Sequence, residues 1–233
     1  MIAVLPFADR FARLVERLVP APADDPTHRL GRALLTDADA ALDVVDETLR
    51  DITARLLAGF RSMWDAGRAT ARDLESVSQL QTSCHRTQEY ALAIEHDDQH
   101  EIRLRQQAAL HACDHGDRLA ERFLDDERLS VSAHDLDLRH AAEHLIGLID
   151  DELRWLGGEG PDPVTEARLV AQHLVDDMRP YRERAIARSI DRPADADDIT
   201  RHLDAYRWIA RIAAHLWRVN LHLDELSGRT VAG

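Results

Sequence analysis

The chain has 233 residues, 45% hydrophobic and 31% charged, a balance that excludes a disordered polymer and supports one large domain or two fused subdomains. Acids outnumber bases, 43 against 29, for a formal charge of −14, and so negative a surface repels phosphodiester backbones and argues against nucleic acid as a partner. No apolar run approaches the length of a bilayer span, and the start MIAVLPFADRF lacks the basic flank and long apolar centre of a signal peptide, so a soluble chain is expected.

Apolar residues recur at helical spacing along nearly the whole chain, and no stretch alternates with period two. A short leading helix is expected over about Phe7–Leu18, with Phe11, Leu14, Val15 and Leu18 on one side. Pro20–Thr36 holds three prolines and a glycine and reads as an extended connection. The first long helix starts near Asp37, a good N-cap residue, and carries Leu42, Val45, Leu49, Ile52, Leu56, Phe60 and Met63 as its stripe before Gly67. A second helix is expected over about Asp73–His96 and a third over Asp98–Leu124. An acidic, polar linker, Asp125–Ala133, follows.

The fourth helix is expected over His134–Leu156, stopping at Gly157-Gly158. After the loop GGEGPDP the fifth runs from Val164 to Ile190, with a kink at Pro180. The sixth begins near Asp197 and ends before Gly228, a suitable C-cap. Three long helices, a linker and three more predict an all-α chain of two antiparallel three-helix bundles behind a short N-terminal helix. The units are residues 1–36 as helix and junction, 37–124 as the first bundle and 134–228 as the second.

Every one of the 29 basic residues is arginine, which codon bias from a GC-rich genome explains without a functional role. Thirteen histidines keep metal binding and pH sensitivity open. Cys84 and Cys113 both fall within helical runs and read as buried thiols in a reducing cytoplasm.

Two stretches one hundred residues apart echo each other: AALHACDHGDRLAERF (Ala108–Phe123) and IARIAAHLWRVNLHL (Ile209–Leu223). His115 matches His215, and Arg118 matches Arg218. One helical unit used twice would produce this.

The runs LPFADRFARLVERLVP and LGRALLTDADAALDVVDETLRD (Leu30–Asp51), with ALHACDHGDRLAERF and YRWIARIAAHLWRVNLHL, resemble the PhoU-like cytoplasmic domain of bacterial sodium/phosphate cotransporters. The resemblance covers roughly Leu5 to Leu226 and involves no catalytic signature. It implies two three-helix bundles and a non-catalytic regulatory or accessory role in phosphate uptake or homeostasis. The expected partner is the transporter's membrane domain, cut away or encoded separately, with self-association into a homo-oligomer a second contact. The expected location is the cytoplasm, at the inner face of the cell membrane. Many PhoU proteins bind iron or zinc clusters through a Glu/Asp-xxx-Asp motif. Here the second copy has Ala210 and Ala214 at the acidic positions, while Arg211, Ile212 and His215 remain. The first has Leu110 at the leading acid and keeps Asp114 and His115. These departures weigh against the family's clusters, and no cofactor is expected from the resemblance.

The residues themselves offer a candidate site for a transition metal, zinc or iron: His111, Asp114 and His115, within about one helical turn. Ligands from another helix would be His140 and His144, also one turn apart, or His85 and Glu89. This is the alternative reading, a stand-alone helical metal-binding protein; the competing reading is an inward hydrogen-bond network or solvated histidines. His96, Asp97 and His100 read as solvated residues near a turn, with an exposed transition-metal site as the alternative. For a di-iron carboxylate site the signal is weak: no Glu-x-x-His occurs, and the nearest forms are Asp97-x-x-His100 and Asp137-x-x-His140. Cys84 and His85 are neighbours pointing about 100° apart and cannot act as a pair. Gly157–Gly160 follows a helix with no strand before it and reads as a turn rather than a phosphate loop. Arg207, Arg211 and Arg218, with Trp208 and Trp217, form a candidate anion or partner surface, against the plainer reading of salt bridges to the many acids.

Overall fold

The computed structural model of the protein describes residues 25–95, 99–135, 138–191 and 196–228, and these are helical with short connections. The expected leading helix Phe7–Leu18 lies outside them. Two 3-10 turns, Pro26–Arg29 and Arg32–Leu34, open the described chain. They replace the extended connection expected there: Asp25 caps the first turn through Thr27 N at 2.9 Å, with Pro26 at its start, where a missing N–H costs nothing. Tyr90 holds the segment by donating to the Gly31 carbonyl at 3.0 Å.

Helix α1 spans Ala38–Ala66 and α2 Ala71–Leu92. Asp37 caps α1, accepting from Ala40 N at 3.2 Å, and the whole predicted stripe from Leu42 to Met63 is buried. Gly67 ends it at φ 65°, a left-handed position that its lack of a Cβ allows. Thr70 and Asp73 form a reciprocal capping box at the start of α2. Helix α3 runs over His100–Phe123.

The expected linker is instead a helix, α4, Asp126–His134. Asp125 caps it by accepting from Arg128 N at 3.2 Å, and Leu129 anchors it in the core. Helix α5 therefore starts later than expected, at Arg139, and runs to Leu156. Beyond the Gly157–Pro163 loop come α6 (Val164–Asp176), α7 (Met178–Asp191) and α8 (Ala196–Leu226). The break falls at Asp177 rather than at Pro180. A proline ring collides with the carbonyl four residues earlier, here Asp176, where α6 ends; Pro180 itself sits in the first turn of α7, where no N–H is needed.

Helices α3 and α8 make the most extensive helix–helix contact, and they run antiparallel. Arg105 donates to the Leu226 carbonyl at 2.8 Å near one end, and Trp208 donates to the Arg122 carbonyl at 2.9 Å near the other. Both apolar clusters draw residues from both halves of the chain. In the larger, Phe60 stacks on Phe123 at 4.2 Å between ring centroids and meets Trp208 at 5.8 Å. In the smaller, Leu42, Val45 and Leu49 of α1 share a core with Val219, Leu223 and Leu226 of α8. Such burial, about 25 cal/mol per Å² of apolar surface removed from water, ties the halves together along the α3–α8 seam. Among the described residues no helix is long and apolar enough to cross a membrane.

Candidate functional site: two histidine clusters

The antiparallel seam brings together residues that the sequence separates by a hundred positions. His111 and His115 stand one turn apart on α3, and His215 and His222 two turns apart on α8, so each pair shares a face. Ring centroids lie 5.6 Å apart for His115–His215, 5.7 Å for His115–His222 and 5.0 Å for His111–His222. Contacts 105–226 and 122–208 lie on either side of 115–215, as the antiparallel course of the two helices requires.

The environment keeps these two imidazoles neutral. Burial is the main cause, followed for His115 by the Arg218 guanidinium and for His215 by His115 itself, then Arg122 and Arg118; each is pushed down to about 4. Both Nδ1 atoms are buried without a hydrogen-bond partner, as is Nε of Arg122.

As a metal centre the predicted trio does not converge. Asp114 is held by Arg118 at 3.1 Å, and its carboxylate stands 3.9 Å from Nδ1 of His115. His111 lies 3.4 Å from Gln107 and stacks on His222. The expected partners are elsewhere: His85 binds Asp117 at 2.8 Å, and His140 and His144 meet a residue that sequence reasoning missed, His173.

That second cluster is built by the α5–α6 hairpin. His140 and His144 occupy the first two turns of α5, and His173 the last turn of α6. Folding back at the Gly157–Pro163 loop sets those ends side by side. Nε2 of His140 lies 3.3 Å from Nε2 of His144, and one nitrogen from each of the three rings falls within 4.8 Å of the others. Among the described residues this is the one group of three metal-ligating side chains so gathered. His144 is half-buried and its basicity is lowered, by burial first and then by His140 and His173; His140 and His173 are exposed.

The remaining candidates divide. Arg207 pairs with Asp204 at 2.8 Å, and Arg218 lies over the Trp217 ring at 5.8 Å. Arg211 is exposed, while Trp208 belongs to the core rather than to a surface. Cys84 and Cys113 are buried, and burial pushes the Cys84 thiol up to about 12, so neither is a nucleophile. His96 and Asp97 lie outside the described residues. Gly158 and Gly160 adopt φ 81° and 110° within a turn. The groove of about 540 Å³ between the opening turn and α2 has Arg86 tied to Asp25 at 2.9 Å and Arg55 tied to Asp51 at 2.7 Å.

One buried group was also missed. Glu152 of α5 is fully buried, and Asn220 of α8 donates from Nδ2 to its Oε2. Oε1 of Glu152 and Oδ1 of Asn220 have no partner. Burial raises the carboxyl to about 8, against the pull of Asn220 and Arg50. Protonated, it supplies the donor that the two orphan acceptors lack. Its signal was legible: Leu145, Leu148, Ile149, Glu152 and Trp155 trace one stripe, with a single acid in it.

No protein-family model matches this chain, and no curated protein or solved structure matches it.

Proposed function

We propose that the chain is a non-catalytic PhoU-like regulatory domain of a sodium-dependent phosphate transporter, made of two related three-helix units. It acts in phosphate uptake or homeostasis by docking helix surfaces against the transporter's cytoplasmic face. The observation that carries this reading is the α3–α8 seam, where the two echoed segments pack antiparallel about His115 and His215. A duplicated unit with its equivalent helices paired at the centre suits a scaffold that presents outer surfaces. The exposed arginines Arg207, Arg211 and Arg218 are the docking positions, and a transporter loop bearing carboxylates would match their geometry.

The test is radiolabelled phosphate uptake by cells carrying the sodium/phosphate cotransporter membrane domain of the same genome, with and without the full chain. A change in uptake that the Arg207→Glu/Arg211→Glu double variant abolishes is the expected result. Unchanged uptake together with failure of the two proteins to co-purify would overturn it.

A further inference from the structure

Histidine rings are exposed on most proteins without consequence, and two on adjacent turns of one helix need no ligand. A third ring arriving from another helix is harder to explain. One N–H···N bond can join His140 to His144, and the nitrogen of His173, gathered into the same space, has no place in that bond. A single cation takes all three lone pairs.

The distances agree. A tetrahedral zinc ion with bonds of about 2.0–2.1 Å holds its ligand nitrogens roughly 3.3–3.4 Å apart. His140 Nε2 and His144 Nε2 stand 3.3 Å apart, and the widest separation in the trio, within 4.8 Å, closes by rotating exposed His173 about its side-chain bonds. The rings must be neutral to ligate. The carboxylates of Glu143 and Glu166 act electrostatically on His144, which places negative charge near the ion. The last turn of α6 adds carbonyl dipole of the same sign.

We propose that His140, His144 and His173 form a binding site for one divalent transition metal of the zinc class, with three protein nitrogens and a fourth position open to water or an external anion. Three imidazoles and no thiolate select zinc, nickel or copper over magnesium and calcium. The site ties the start of α5 to the end of α6 and bridges no other element. It is independent of the transporter reading, and of His111, Asp114 and His115.

The experiment uses the full chain produced without a histidine tag. Zinc chloride is titrated calorimetrically, and the cobalt-substituted protein is examined for the visible absorption of tetrahedral Co²⁺. The expected result is one ion per chain, with affinity falling at least about tenfold in both His144→Ala and His173→Ala, because losing a ligand should cost no less than the roughly tenfold or more seen when only a ligand's outer partner is removed. His111→Ala should bind as the parent does. His173 is exposed, so its replacement keeps the test valid if His144→Ala fails to fold. Substoichiometric binding by the parent chain, or parent-like binding by His173→Ala, overturns the site. Loss of binding in His111→Ala with His173→Ala unaffected would move the ion to the α3–α8 seam and overturn it equally.

Discussion

His115 and His215, a hundred residues apart in the chain, face each other across the α3–α8 seam with ring centroids 5.6 Å apart and both Nδ1 atoms unpartnered. Each lies under positive charge: Arg218, His222 and Arg118 act on His115, and Arg122, Arg118 and Arg218 on His215, with Asp114 the acid acting on His115. Protonating either ring puts a buried cation among cations.

Stability should therefore fall with acid in a defined window. The unfolded rings take protons below about 6.5, whereas the folded rings resist until about 4. The unfolded state binds more protons in between, so the pair's contribution is complete above pH 6.5 and is lost as pH drops towards 4. Each tenfold suppression of proton affinity corresponds to about 1.4 kcal/mol. Urea unfolding across this range should show a shallower slope for His115→Asn/His215→Asn than for the parent. Equal slopes would show that the rings are not held neutral.

Glu152 should act in the opposite sense. Its carboxyl is raised from 4.5 to about 8 in the folded protein, so its contribution is complete below pH 4.5 and is lost as pH rises through 8. Glu152→Gln keeps the shape and cannot ionise. The variant should gain on the parent as pH is raised, most clearly above pH 8, when melting temperatures are compared. A constant difference at every pH would mean that the parent carboxylate is already charged.

Gly67 should tolerate no side chain. Its φ of 65° lies in the left-handed region, and a Cβ there would fall 2.5 Å from Cε1 of His134 and 2.8 Å from its Nε2. Gly67→Ala should cost more than about 1 kcal/mol, the backbone penalty alone being roughly that size. Adding His134→Ala should recover the steric part and leave the backbone part, as denaturant midpoints would show. Full recovery would exclude the backbone term.

Much of this was legible in the sequence. The stripe of α1 from Leu42 to Met63 spans many helical turns, its Asp37 cap and Gly67 stop flank it, and every residue of the stripe is buried. Helix α4 escaped because DERLSVSAH is short and polar, with Leu129 its only fully buried large apolar residue, so no period can be read from it. The contact of α3 with α8 was not legible, because the hundred-residue echo marks the two segments as alike and says nothing of whether they touch. His173 was hidden because nothing on its own helix matches it. Its place becomes apparent only when the hairpin is folded about its glycine-rich loop, which sets residue 173 about one turn from the level of residue 144.

Pairing α3 with α8 joins the first half of the chain to the second through Arg105–Leu226, His111–His222, His115–His215 and Trp208–Arg122. Neither half keeps these contacts, nor its share of the apolar clusters, once the other has unfolded. Heat should therefore melt the two halves in a single cooperative step rather than in succession.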